Sequence, residues 1–279
     1  MRTREKITLV FRYLCIILFG ILIAVPFYWM IITSLKDPNR VFVRPMEWFT
    51  DKFRIENYSA LFTQYHFEQY VFSTVKLCLL NVAGTVLSCS LVAYGFAFGR
   101  YRHKNKIFFI VLLTMILPAT VTFFPQFILY TKIGMYGTLL PLWLPSFFGN
   151  AYYIFFLRQY FLTVPKSLMD AARIDGCGEM KTLLKIVVPM AKPVYVVMIL
   201  NTFIGVWGDF FNQLIYITNR ENYTISIGLT ALNKSYGHTS SIMPTLMAGA
   251  FIVTIPVLIV YYFGQRAMMN SYVFRDTGK

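Results

Sequence analysis

Apolar residues in this chain follow neither the alternation of half-buried strands nor the one-sided stripe of a surface helix. They come in long runs separated by short polar stretches. A helix needs about 20 mostly apolar residues to cross the hydrocarbon layer of a bilayer. Six runs reach that length, at residues 13–32, 71–98, 107–130, 139–161, 194–217 and 242–263. Strands of membrane barrels are shorter and alternate in polarity, so the pattern predicts an all-α polytopic membrane protein with six transmembrane helices. The first run is long for a signal-peptide core and no small-residue cleavage site follows it, so it is expected to be retained. The predicted organisation has three parts. Residues 1–69 form a transmembrane helix and an external loop. Residues 70–267 form a core that contains a cytoplasmic segment at 163–193, and 268–279 form a cytoplasmic tail.

Prolines punctuate the runs: Pro118 and Pro125 in the third, Pro141 and Pro145 in the fourth, Pro244 and Pro256 in the sixth. Each frees a carbonyl and bends a helix. Such breaks survive in a membrane where neighbouring helices or a water-lined cavity satisfy the backbone. The external loop, about residues 33–70, carries mixed charge and several aromatics and is expected to be partly ordered on the outer membrane surface.

Composition agrees with a bilayer as solvent. The 279 residues are 57% hydrophobic and only 14% charged, against roughly 25% charged in soluble domains. The net charge of +14 raises the question of nucleic acid, but its distribution answers it. Of the 26 lysines and arginines, 17 fall on one side of the predicted spans, among them Arg100, Arg102, Lys104 and Lys106 in one short turn. The other side holds Asp37, Glu47, Asp51, Glu56, Glu68 and Glu221. Cytoplasmic loops collect basic residues, so both termini are placed inside and the expected surroundings are membrane lipid, with no nucleic acid. Of the four cysteines, Cys15, Cys78 and Cys89 lie in predicted spans and Cys177 in a cytoplasmic loop. None forms a C-x-x-C pair, and the three in spans are read as small buried hydrophobes.

Candidate chemistry is sparse. His66, His103 and His238 are far apart and lack metal-ligand spacing. There is no G-x-x-x-x-G-K-[ST] loop to cradle nucleotide phosphates, so the chain is read as a non-enzymatic transport subunit with no cofactor of its own. The fifth run carries Asn201, Gly205, Gly208, Asp209, Asn212 and Tyr216 at helical spacing. On one continuous helix they share a face, and an ionisable residue within a span is a functional candidate by default. Two readings stand side by side: a translocation pathway, or close helix packing through the glycines with Asp209 bonded to a neighbour. Asn150, in the fourth run, is a further pathway candidate. Lys76 is read as reaching out to the membrane surface.

The cytoplasmic stretch 165–193, PKSLMDAARIDGCGEMKTLLKIVVPMAKP, is the most informative. Ser167 and Asp170 have the spacing of a capping box, which predicts a short helix through Ala171, Ala172 and Ile174 that Gly176 ends. A second helix is expected from Glu179 to Val188, stopping at Pro189 and Pro193. Small residues and defined charges suit a helix that seats in a cleft of another protein; an elbow packed only on its own bundle is the alternative.

This stretch resembles the signature of ABC importer permeases, E-A-A-x-x-D-G followed by I-x-L-P. Here it reads Asp170-Ala171-Ala172-Arg173-Ile174-Asp175-Gly176 and then Ile186-Val187-Val188-Pro189. Trp207-Gly208-Asp209-Phe210, Met247-Ala248-Gly249-Ala250, Ile255-Pro256-Val257 and Gln265-Arg266 are similar to the carbohydrate-uptake branch, in particular the second permease of a maltose-type pair. The likeness covers about residues 70–270. Gly208 departs from the branch, as does the tail Arg275-Asp276-Thr277-Gly278-Lys279. The resemblance implies that Ser167, Asp170, Ala171, Ala172, Asp175 and Gly176 couple the bundle to an ATPase. It also implies a second homologous permease, a dimer of ATPase subunits that binds ATP and Mg, an extracytoplasmic solute-binding protein facing residues 218–241, and a sugar substrate. An ion-coupled secondary transporter, with Asp209 as the proton-carrying acid, is the alternative function.

Overall fold

The computed structural model describes residues 3–43, 45–236 and 242–276. His238 and the ends of the 218–241 segment and of the tail therefore lie outside the described residues. The described chain is all-helical. It forms two compact units, Met1–Glu68 with Gly228–Pro256 and Gln69–Ile227 with Val257–Lys279.

In the first unit, α1 (Thr3–Ser34) exposes large apolar side chains from Leu9 through Val25, and of its described residues only the last, Thr33 and Ser34, are buried within the chain. An apolar helix exposed on every side in water would be unstable, but it is stable in lipid or against another apolar surface. The segment after α1, expected to lie outside, is ordered rather than slack. Asn57, on α2 (Glu56–Thr63), donates to the carbonyls of Ser34 and Lys36 at 2.9 Å each. Lys36 is 1% exposed. Its ammonium donates to the Glu47 carbonyl and sits 4.4 Å from the centre of the Trp29 ring. Burial pushes the Lys36 ammonium below its ordinary pKa, against the raising influence of Glu47. Arg54–Asp37 and Arg40–Glu47 close the outside of the loop at 2.9 and 2.8 Å.

The second unit holds most of α3 (Phe67–Phe98), a 32-residue helix. It continues with α4 (Lys104–Leu113), a 3-10 turn at Thr114–Ile116 and α5 (Ala119–Lys132). Lys104–Ile116 and Ala119–Lys132 meet at 98°. The cause is Pro118: the residue before a proline is pushed out of the helical region, and Leu117 is extended at φ −71°, ψ 120°.

The fourth run is not one helix, contrary to the expectation for 139–161. It divides into α6 (Leu140–Trp143), a 3-10 turn at Leu144–Phe148, and α7 (Ala151–Phe161). Pro141 and Pro145 each begin a new turn. Gly149, at φ +91°, takes a conformation that side chains resist, and Asn150 caps the helix that follows.

Next come α8 (Lys166–Ile174) and α9 (Glu179–Thr182), a π-turn at Leu183–Val187, and α10 (Val188–Met190). Pro189 lies inside this last piece and does not stop it. The turn comes at Ala191, and Glu179–Met190 meets α11 (Lys192–Trp207) at 84°. The fifth run ends early as well. α11 stops at Gly208, and α12 (Phe211–Tyr216) begins after a break. The chain closes with α13 (Ile225–Tyr236) and α14 (Met243–Asp276).

Among the described residues, three helices are long and apolar enough to cross a membrane, at Thr8–Ser34, Phe67–Phe98 and Met243–Gln265. Counting each bent pair as one span raises the number to five. The core of the second unit gathers Cys89, Phe96, Leu157, Phe161, Leu183 and Met198 from α3, α7, the π-turn and α11.

Candidate functional site

Pro165, and not Ser167, occupies the N-cap of α8, and no side chain caps it. The expected capping box is therefore absent. The helix starts two residues earlier than expected, at Lys166, which leaves Ser167 inside the first turn. Asp170 pairs instead with Arg173 at 3.4 Å. The other end is as expected. Gly176 is left-handed at φ +71°. The Cys177 amide donates to the Ala172 carbonyl at 2.9 Å and the Gly176 amide to the Arg173 carbonyl at 3.1 Å. These two bonds are the Schellman arrangement that satisfies the last carbonyls of a helix.

The two alanines part company. Ala172 is 4% exposed and, with Met169, faces its own bundle. Ala171 is exposed, as are Asp175 and Gly176, and Ile174 at the end of the helix is 87% exposed. α8 thus has an apolar underside seated on the core and a free upper face that carries a large exposed aliphatic residue.

The polar face of the fifth run is split by the break. Asn201 and Gly205 are exposed on α11, and a Cβ added to Gly205 would have nothing within 4 Å. Close packing through that glycine within this chain is thereby ruled out. Asp209 lies in the break. One oxygen accepts from the Asn212 amide at 3.2 Å, and the other from its side-chain nitrogen at 3.0 Å. Gln213, which is buried, donates to the Val206 carbonyl at 3.0 Å, alongside the Asp209 amide at 3.3 Å. Tyr216 does not share an open face with Asn201. It is buried, with its ring 5.8 Å from Tyr130 and 6.0 Å from Phe127. Asn150 caps α7, accepting from the amides of Tyr152 and Tyr153 at 3.0 and 3.3 Å.

Sequence reading missed the partner of that broken segment. α3 presents Asn81, Ser88 and Cys89 to it. Asn81 donates to the Leu142 carbonyl at 2.9 Å and accepts from the Ser146 hydroxyl. Ser88 donates to the Ser146 carbonyl at 2.8 Å, and the Cys89 thiol lies 3.8 Å from that of Asn150. Gly84, between them, lets the Phe147 ring come close: a Cβ there would stand 2.6 Å from it. Cys89 is therefore more than the small hydrophobe expected. Polar residues seven apart in an apolar helix, Asn81 and Ser88, were the available signal. Sequence reading also missed Tyr94, near the C-terminal end of α3, whose hydroxyl donates to Glu179 Oε2 at 2.5 Å.

Among the described residues no cluster of three or more His, Cys, Asp or Glu could hold a metal ion. The arrangement offers bends, a surface helix and an open polar face, which are means of moving rather than of making bonds.

Residues 90–270 match the family described as "Binding-protein-dependent transport system inner membrane component". The chain belongs to this family. As an inner-membrane permease it is a multi-pass transport subunit, and the ion-coupled reading is left without support. The permease is 27% identical over 268 residues to the lactose transport system permease protein LacG of Rhizobium radiobacter, covering 96% of each chain. It is 29% identical over 272 residues to the arabinooligosaccharides transport system permease protein AraQ of Bacillus subtilis, covering 96% of this chain and 93% of the relative. Its fold is shared with a chain of a bacterial ABC transporter involved in the import of the acidic polysaccharide alginate. The TM-score is 0.84 at 22% identity, covering 95% of this chain and 98% of the other. α8, Asp209 and the Tyr94–Glu179 bond all lie inside the family match.

Proposed function

We propose that this permease carries a sugar or oligosaccharide into the cell as half of a pathway completed by a second, homologous permease. Two ATPase subunits supply the energy from the cytoplasm, holding ATP and Mg, and a solute-binding protein delivers the sugar outside. Support for a sugar is the substrate class named for LacG and AraQ. Six crossings with both termini inside fit the three long helices, the two bent pairs and the broken 140–161 segment, together with the basic cytoplasmic turns.

One observation carries the coupling role: α8 is short, is bounded by Pro165 and a Schellman turn, and sits on its own bundle by Met169 and Ala172 while Ala171 and Ile174 stay exposed. Exposed Ile174 is what a docking helix offers a partner cleft, and Asp170, Asp175 and Gly176 flank it. The free face of α11 at Asn201 and Gly205, with Asp209 and Asn212 at its outer break, supports a role in lining the pathway. Tyr216 and Asn150 support that lining from behind.

Placing arginine at Ala171 tests the coupling. Ala171→Arg should leave the permease folded and membrane-resident, while the ATPase no longer purifies with it. Ala172→Arg, by contrast, should damage the bundle, since it forces a charge into the core. Full ATPase association of Ala171→Arg would remove the coupling role.

A further inference from the structure

Two kinds of contact hold the coupling segment. The underside of α8 rests on apolar side chains, through Met169 and Ala172. Such contacts have no direction, and they let a helix slide or roll as one body. The second kind is polar and directional. Glu179, the first residue of α9, offers its two carboxylate oxygens to two different elements. Oε2 accepts from the Tyr94 hydroxyl on α3 at 2.5 Å, and Oε1 lies 4.0 Å from the Arg173 guanidinium on α8. Arg173 in turn reaches Asp170 at 3.4 Å. The Tyr94 ring is fixed by Phe98, with centroids 5.1 Å apart. Tyr94, Arg173 and Glu179 line, with Gly95, Gly99 and Arg100, a cleft of about 360 Å³, so there is open space around this point.

We propose that Tyr94 and Glu179 form a clasp that turns motion of the coupling helix into motion of the transmembrane helices. This rests on the coupling role proposed for α8 and names the link beyond it. Glu179 is well placed, because it heads the piece that runs through the π-turn and the 84° bend into α11, the helix that presents Asn201 and Gly205. A push on α8 reaches Glu179 through Arg173. From there it passes to α3 through the phenol and to α11 through the backbone. A phenol–carboxylate bond is short, charge-assisted and strongly oriented, whereas apolar packing alone would let α8 move without turning α3. Tyr94 and Glu179 are positioning residues: neither touches the substrate or the nucleotide.

The test uses the transporter purified with its own ATPase partner and reconstituted in liposomes, and it needs no knowledge of the sugar. A single cysteine replaces Asn201 in a variant whose four native cysteines are replaced by serine or alanine. The rate of its reaction with a small thiol reagent is measured without nucleotide and with Mg–ATP plus vanadate. The ratio of the two rates reports how far the nucleotide signal reaches α11. Tyr94→Phe keeps the ring and loses the donor, and should cut the nucleotide-induced change about tenfold, the scale of a charge-assisted hydrogen bond. Glu179→Leu should do the same. Glu179→Gln, which keeps an acceptor for the phenol but loses the charge that faces Arg173, should give a response between those of the wild type and Glu179→Leu. A merely structural role would instead lower the Tm of these variants and leave the ratio unchanged, and that result overturns the clasp. Ala171→Arg separates the two levels. If it abolishes the response while Tyr94→Phe does not, the clasp fails and the coupling role stands. If Ala171→Arg leaves the response intact, or the wild-type ratio is one, both fall.

Discussion

Gly176 allows the coupling segment to be probed through its backbone alone. A Cβ built on it has nothing within 4 Å, and its φ is +71°. A side chain there meets no steric obstacle, so the entire cost of substitution is conformational. An ordinary L-residue held in the left-handed region costs about 1–2 kcal/mol. Asparagine tolerates the region and should cost a few tenths, and a β-branched residue more than ~2 kcal/mol. With ~1.4 kcal/mol per tenfold, Gly176→Ala should open the Schellman turn roughly tenfold more often, and Gly176→Val at least ~30-fold more often. The turn is closed by the Cys177 amide on the Ala172 carbonyl at 2.9 Å, so amide exchange at Cys177 reads the opening directly. Co-purification of the ATPase and its substrate-stimulated hydrolysis read the consequence. The order of damage should be Asn, then Ala, then Val, with the thermal stability of the bundle nearly constant, because Gly176 is exposed. If asparagine proves as harmful as valine, or valine behaves as wild type, the left-handed turn is not what the segment needs.

Asn81→Leu should lower the Tm of the purified permease, because it strips partners from Leu142 and Ser146 in the broken segment; at about 0.6–1.7 kcal/mol per hydrogen bond within a membrane, the loss is on the order of 1–3 kcal/mol. An unchanged melting curve would mean that the segment does not depend on α3. Lys36 should make the loop after α1 more stable as pH rises from its lowered folded pKa towards 10.5: the unfolded chain holds the proton more tightly, so protonation favours unfolding. Lys36→Met should flatten that slope in a denaturation series, and a slope that survives the substitution belongs to another group.

The membrane class of this permease was written in the sequence. Run length and the sidedness of basic residues are one-dimensional properties, set by bilayer thickness and by charge. The end of α8 was equally legible, because a glycine after a short helical stretch acts within a few residues. What needed tertiary structure was the fate of each run. Hydropathy does not distinguish one helix from two halves meeting at an angle, and in the run at 139–161 the carbonyls of Leu142 and Ser146 are held by Asn81 and Ser88, some 60 positions earlier. The same limit applied to the polar face of the fifth run. Helical spacing put Tyr216 beside Asn201, but the break after Trp207 turned Tyr216 into the aromatic core against Phe127 and Tyr130. Ala171 and Ala172 are adjacent and alike in the sequence, and only the packing of α8 on its own bundle decided that one faces the core and the other faces out. Tyr94 and Glu179, 85 residues apart, are linked by a single hydrogen bond, and no local pattern marks a bond that depends on where two distant helices end.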